Sequence, residues 1–296
     1  MVDARGADLH THTTASDGAL TPTELVELSA TSDVAAIAVT DHDTMDGIPE
    51  ALAVAERVGL MVIPGVELST DWESPVQGPQ TVHLLGYAPD SQAPALAKTM
   101  HEAKFDRELR GEAIVKKLNE LGLAITWERV LEIAGEARIG RPHIARAIME
   151  KGYETSWDRV FERWLGNTAP GYVGRTKLAT RDAVEMVVAA GGVAVVAHPY
   201  YDFHDGTLDL ANLLPPLIEA GLGGLEVYYG GIDPEEWRQY LEIAAAHGLL
   251  TTGGSDFHGN DLAPEITVGC AVCPHENLLR LCEMAGISSP DVYEIR

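Results

Sequence analysis

The chain has 296 residues, 46% of them hydrophobic and 22% charged, with a formal net charge of −24. That length accommodates one large α/β domain or two smaller ones with a substantial core. The acidity argues against a groove for duplex nucleic acid, because its phosphates would meet a repulsive field.

The chain opens on Ala7-Asp-Leu-His-Thr-His-Thr-Thr-Ala-Ser-Asp17-Gly. In an extended strand His10 and His12 project from one face. Asp17 follows in a Ser-Asp-Gly turn that can swing its carboxylate back toward them. Thr21-Pro-Thr-Glu24 then reads as a capped helix start, with Thr at the N-cap, Pro at N1 and Glu at N3, running to about Ser32. Val34–Thr40 is a continuous apolar run of the kind buried in a parallel sheet, and it ends in Asp41-His42-Asp43. A helix through about Val58 precedes a buried strand over Leu60–Glu67. Thr81–Tyr87 is a further strand with His83 inside it.

From about Ser91 to Gly166 strand-like runs give way to charged amphipathic helices, expected over 91–121, 126–134, 142–151 and 156–165. This divides the chain into a discontinuous body, residues 1–90 and 170–296, and a helical insertion over 91–169. The strand–helix rhythm resumes with a helix over Thr180–Ala190 and the strand Gly192–His198. Strands over Gly224–Tyr229 and Leu249–His258 follow, with helices over Pro234–His247 and Glu276–Ala285. Such alternation implies a parallel sheet, open or closed into a barrel.

Six of the 11 histidines, His10, His12, His42, His83, His198 and His258, fall in or at the end of an expected core strand. Buried imidazole in an apolar strand calls for a partner. Asp17, Glu67 and Asp256 occupy similar strand-end positions, and in a parallel barrel those ends open onto one face. Nine nitrogen and oxygen ligands exceed the needs of one ion and suit two or three, with Glu67 as the candidate bridge. A His/carboxylate set without cysteine favours Mn²⁺, Zn²⁺ or Fe²⁺ over calcium.

His10-x-His12, Asp17-Gly18, Thr40-Asp41-His42, Pro64-Gly65-Val66-Glu67, His83-Leu-Leu-Gly, Ala197-His198-Pro199 and Ser255-Asp256-x-His258, in this order, resemble the PHP (polymerase and histidinol phosphatase) superfamily. The resemblance implies a distorted (β/α)₇ barrel, here with an inserted α-helical subdomain, and a trinuclear centre that hydrolyses phosphoesters. It assigns His10, His12, Glu67 and Asp256 to one ion. A second would take Glu67, His83 and His198, and a third Asp17, His42 and His258. Manganese is the ion expected first. Bound ions can lower the pKa of water to about 7 and, ~3.5–4 Å apart, stabilise attacking and leaving oxygens. A metal-bridging hydroxide, its ions held by residues that include Glu67, Asp256 and His198, is therefore the expected nucleophile.

In the insertion, Gly140-Arg141-Pro142-His143 puts Arg141 at a helix start, where unpaired N–H groups also favour a phosphate. Arg141 could grip a phosphate bidentately with His143 nearby, a reading helped by a similar segment in nucleotide phosphatases of the superfamily. Arg175 and Lys177, where the chain rejoins the barrel, are weaker candidates. Tyr201, Tyr228 and Tyr229 could stack a base, although packing is the better reading for each.

The expected activity is hydrolysis of a phosphate monoester on a small metabolite, a nucleoside monophosphate or 3′,5′-bisphosphate. Histidinol phosphate and the 5′ end of a short RNA are the alternatives. No duplex nucleic acid and no membrane partner is expected. Three cysteines are too few for a disulfide framework, and Cys270 and Cys273 form a C-x-x-C for which buried packing is expected. With no charged-then-apolar leader, a cytoplasmic setting is expected.

Overall fold

The computed structural model describes residues 5–75, 78–135, 139–166, 168–174, 177–200, 210–230, 232, 235–259 and 265–288. Strand β1 (Ala7–Thr11) leads to helix α1 (Pro22–Ala30). Its start is the expected capping box: the Glu24 N–H donates to Thr21 Oγ1 at 3.2 Å, and the Thr21 N–H donates to Glu24 Oε2 at 2.8 Å. Then come β2 (Ala36–Val39), α2 (Ile48–Val58), β3 (Met61–Ser74) and β4 (Gly78–Tyr87). The helical run comprises α3 (Pro94–Glu120), α4 (Trp127–Ala134), α5 (Arg141–Glu150) and α6 (Trp157–Val160). The chain closes with β5 (Leu178–Ala179), α7 (Thr180–Ala189), β6 (Val193–Val196), α8 (Leu210–Glu219), β7 (Gly224–Tyr229), α9 (Trp237–His247), β8 (Leu250–Gly254) and α10 (His275–Ala285).

The strands run in the order β1-β2-β3-β4-β6-β7-β8, with β5 set against the outer half of β3. β1/β2, β2/β3, β6/β7 and β7/β8 are parallel, as the alternation predicts. β4 is not: it lies antiparallel to both β3 and β6. The reason is connectivity. A parallel return needs a crossover of about a dozen residues or more, and β3 turns into β4 with no helix between them. β3 also continues past Glu67 to Ser74, a stretch that is polar except for Trp72 and so lacks the apolar signature.

The sheet closes where β1 meets the chain just beyond β8. Asp256 N–H donates to the His10 carbonyl, and His12 N–H to the Phe257 carbonyl, both at 2.9 Å. A Cβ at Gly254 would collide with the His10 backbone, so this seam needs glycine. The result is the expected distorted barrel. Alternate residues of β2 serve its two faces. Ile37 and Val39 pack with Leu25 of α1, Val54 of α2, Val187 of α7 and Leu217 of α8. Ala36 and Ala38 join Leu9, Ile63, Leu85, Tyr87 and Val195 in a second cluster.

The helical run has a separate apolar cluster, with Ile114, Leu118, Ile125, Ile144, Ile148 and Leu165 at its centre. The helix expected over 156–165 is a short α-turn that widens into a π-helical turn at Phe161–Leu165. Helix α8 is an addition to the elements expected from sequence; it carries Pro215 and Pro216 inside it, and burial of Leu210, Leu213, Leu214 and Leu217 holds it. Cys273 is buried as expected, but Cys270 is exposed, in the turn before the return to β1, where its C-x-x-C partner packs alone. No helix among the described residues is long and apolar enough to cross a membrane.

Candidate metal centre

All nine residues singled out by position meet at one mouth of the barrel. His10 lies where the β1/β2 register slips, between Asp8 and Thr11, and such a bulge re-aims side chains. His42 follows β2 and bridges to Glu67 of β3. His83 enters from β4, opposite Ser69. His198 follows β6 with φ 23°, and Asp256 follows β8 with φ 55°. Left-handed backbone at non-glycine residues is strained and persists only where neighbours hold it. Here Glu226 accepts the His198 N–H at 2.7 Å, and Tyr229 Oη donates to Asp256 at 2.6 Å.

The donor atoms fall into three groups. His10 Nε2 lies 3.4 Å from Glu67 Oε2 and 3.3 Å from Asp256 Oδ1, and His12 Nε2 lies 3.3 and 3.0 Å from the same two oxygens. Glu67 Oε1 lies 2.9 Å from His83 Nδ1 and 3.0 Å from His198 Nε2. Asp17 faces His258 Nε2 at 3.5 Å and His42 Nε2 and His12 Nδ1 at 3.9 Å. Ligands about 2.1 Å from a common ion stand roughly 3.0–3.4 Å apart in octahedral or tetrahedral array, the spacing of the first two groups.

A sharper test of fit is hydrogen bonding. His10 Nε2, His12 Nε2, His42 Nδ1 and Glu67 Oε2 are buried and close on one another, yet none makes a hydrogen bond. Buried polar atoms rarely go unsatisfied. Lone pairs aimed at shared points, in a His/carboxylate set, are what divalent ions require. Clusters that could hold a metal are His12, Asp17, His42 and His258; His10, His12 and Glu67; and His42, Glu67 and His83.

Burial is the largest influence on each ionisable group here, and it opposes charge. The groups offset it for one another. Imidazoles of His42, His83 and His10 hold Glu67 well below the usual carboxylate range. His42 and His258 do so for Asp17, and His10 and His258 for Asp256. Against its own burial, His258 is lifted to about 10 by Asp17 and Asp256. His12, buried beside His258 and His42, is pushed down to about 4. Metal binding requires neutral imidazoles and ionised carboxylates, so a divalent ion displaces any proton that these ligands carry.

Besides Asp43, the buried carboxylates Glu226, Asp8 and Asp41 around the mouth were not singled out as site residues from the sequence. Glu226, wholly buried, holds His10 Nδ1 at 3.1 Å. Asp8 accepts from the Ser255 N–H and hydroxyl and from the Gly269 N–H, pinning the loop that carries Asp256. Asp41 accepts from the Thr13 N–H and hydroxyl and the Ser16 hydroxyl, pinning the loop that carries Asp17. Burial pushes both Asp8 and Asp41 up to about 6. A carboxylate inside an apolar strand, the signal used for the histidines, also marks Glu226 and Asp8.

A cavity of about 380 Å³ is lined by Asp17, His42 and His83 of the mouth, by Arg107, Arg110, Arg141 and Phe161 of the helical insertion, and by Tyr172 and Lys177 where the chain rejoins the barrel. Arg141 donates to the Leu165 carbonyl at 3.1 Å with its guanidinium 5.6 Å from the Phe161 ring. Arg110 donates to the Val173 carbonyl at 2.7 Å and lies 5.5 Å from the Tyr172 ring. Lys177 is tied to Asp71 and Thr81. His143 turns back to accept the Gly140 N–H at 3.0 Å, completing the start of α5. Tyr228 packs edge-on against Trp237. Arg175 and Tyr201 lie outside the described residues.

Residues 8–165 match the family model of the PHP domain. The chain is 36% identical over 253 residues to the 3′,5′-nucleoside bisphosphate phosphatase of Chromobacterium violaceum, covering 85% of this chain and 86% of that one. It is 35% identical over 254 residues to the 5′-3′ exoribonuclease Rnm of Salmonella typhimurium, covering 85% and 84%. A solved structure from Bifidobacterium adolescentis, assigned as a metal-dependent phosphoesterase, superposes with a TM-score of 0.85 at 30% identity, over 95% of this chain and 96% of that one.

Proposed function

The chain belongs to the PHP domain family of metal-dependent phosphoesterases, and we propose that it removes a phosphate monoester from a small nucleotide, a nucleoside 3′,5′-bisphosphate or monophosphate. The observation that carries this reading is the cavity itself. Its lining combines Asp17, His42 and His83 of the His/carboxylate mouth with Arg110 and Arg141, in a chain whose net charge is −24. At about 380 Å³ it lies in the range of small-molecule pockets.

In this reading His10, His12, Glu67 and Asp256 hold one ion, Glu67, His83 and His198 a second, and Asp17, His42 and His258 a third. The donor set suits Mn²⁺, with Zn²⁺ or Fe²⁺ as alternatives. When bound, such ions neutralise phosphoryl oxygens and acidify water. Arg141 and Arg110 grip the part of the substrate that is not cleaved. A guanidinium carries five N–H donors, so an anchoring bond to a backbone carbonyl is compatible with a phosphate contact. Phe161 and Tyr172 supply the apolar wall for a nucleoside. Hydrolysis breaks one P–O ester bond; water oxygen goes to phosphorus and its proton to the departing alkoxide. Residues 91–169 act as a cap over the barrel formed by 1–90 and 170–296, and the reaction belongs in the cytoplasm.

The exoribonuclease relative supports a second reading, in which the cavity takes the 5′ end of a short RNA. Competition separates the two. With a nucleoside 3′,5′-bisphosphate and a 5′-phosphorylated trinucleotide supplied together, the first reading requires the bisphosphate to be consumed first. Preferential shortening of the trinucleotide would establish the second.

A further inference from the structure

Asp43 follows His42 directly and has a left-handed backbone, φ 54°, although it is not glycine. It is nearly fully buried. Its N–H donates to the Glu67 carbonyl at 2.8 Å. Its Oδ1 accepts the Ser69 N–H at 2.8 Å, and its Oδ2 lies 3.3 Å from the Ser69 hydroxyl. Asp43 thus ties the turn that carries His42 to the strand that carries Glu67. Oδ2 also receives Arg107 from α3, through Nη2 at 2.6 Å and Nε at 3.2 Å. Arg107 lies on α3 between Leu96, which packs in the barrel's cluster, and Ile114 and Leu118, which centre that of the insertion, and its side chain is only 14% exposed.

We infer that Asp43 and Arg107 are a positioning pair that makes the seating of the helical insertion and the aim of His42 and Glu67 one linked equilibrium. The physical reason is the cost of separating the pair. Withdrawing Arg107 leaves a buried carboxylate uncompensated, a severe penalty. That carboxylate is also what over-determines the strained turn at Asp43, and without its full set of bonds the turn relaxes. His42 Nδ1 lies 2.8 Å from Glu67 Oε2, so a relaxed turn spoils that approach. Linkage is reciprocal: whatever holds His42 and Glu67 together must also hold the insertion down. The inference rests on the metal-dependent reading of the mouth.

The test measures Mn²⁺ binding by equilibrium dialysis and tryptic cleavage within residues 94–165, with and without Mn²⁺. Wild type is compared with Arg107→Met, Asp43→Asn, the double variant and Arg129→Ala, which breaks an exposed pair with Glu150 inside the insertion. Mn²⁺ should slow cleavage of the wild type. Arg107→Met and Asp43→Asn should each weaken Mn²⁺ affinity about tenfold, as loss of a supporting partner typically does. Both should lose the protection, and the double variant should be no worse than the singles. Arg129→Ala should keep wild-type affinity. Arg107→Lys, which retains the buried charge but not the two-pronged bond, should fall between, and it decides the matter if Arg107→Met does not fold. Wild-type affinity in Arg107→Met or Arg107→Lys, additive losses, or cleavage insensitive to Mn²⁺ would overturn the coupling. No Mn²⁺ bound by the wild type would overturn it together with the reading beneath it.

Discussion

Glu226 holds His10 from behind: His10 Nδ1 lies 3.1 and 3.2 Å from the two carboxylate oxygens, and one of them also accepts the His198 N–H at 2.7 Å. One wholly buried side chain therefore orients two candidate ligands. It favours the proton on His10 Nδ1, which leaves the Nε2 lone pair facing Glu67 and Asp256. Glu226→Gln keeps the shape but presents an amide hydrogen where an acceptor is needed. The expected result is a fall of about 10–100-fold in Mn²⁺ affinity, with turnover largely restored by excess Mn²⁺. Unaltered affinity by isothermal titration would remove Glu226 from this role.

Removing ions should destabilise the fold. Without them the mouth keeps buried atoms, among them His12 Nε2 and Glu67 Oε2, that make no hydrogen bond. A ligand at 100 times its dissociation constant stabilises by about 2.7 kcal/mol per site. A melting temperature lowered by several degrees in chelator, and regained on adding Mn²⁺, is the outcome to look for by calorimetry. Superimposable melts would argue against a built metal site.

Arg141 lines the same cavity as His83. Arg141→Ala should raise KM for a nucleoside 3′,5′-bisphosphate about tenfold or more with kcat little changed, the pattern of lost ground-state binding. For a phosphate ester lacking the second phosphate, the effect on KM should be smaller. A selective fall in kcat would instead place Arg141 on the transferred group.

Glu154 sets an acid limit on the helical insertion. Burial works against its charge, but the Trp164 N–H, Arg163 and Arg159 outweigh it and hold the carboxyl below its ordinary value of 4.5. A depressed folded pKa contributes stability that is fully present above the unfolded value and is lost as pH falls through the folded one. The urea midpoint for unfolding of the insertion should therefore fall below about pH 4.5 in the wild type. In Glu154→Gln it should be lower at pH 7 and flatter with pH. An equally steep acid limb in that variant would assign the effect elsewhere.

The candidate site was more legible than the sheet around it. His10, His12, His83 and His198 stood out because imidazole in an apolar run is conspicuous, and their strand-end positions were enough to bring them together. The β3–β4 hairpin was hidden because Ser69–Ser74 is polar except for Trp72 instead of running apolar, so the antiparallel return of His83 left no mark. Glu226 carried the same signal as the histidines, a charge in the apolar run Gly224–Tyr229, but its partner lies 216 positions away. Arg107 had no local signal. It is one charge among many on α3, and only the packing of that helix over the mouth brings it to Asp43. No element was expected over 210–219, where Pro215 and Pro216 interrupt the helical pattern and burial of four leucines holds α8.

The central claim is metal-dependent hydrolysis of a nucleotide phosphate monoester at the His/carboxylate mouth. Its most direct test is phosphate release from nucleoside 3′,5′-bisphosphates, nucleoside monophosphates and histidinol phosphate, in Mn²⁺, in chelator, and with Asp256→Ala. The account predicts release from a nucleotide that stops in chelator, returns with Mn²⁺ and is absent in the Asp256→Ala enzyme. Release from histidinol phosphate alone, or release that persists in chelator or in Asp256→Ala, would contradict it.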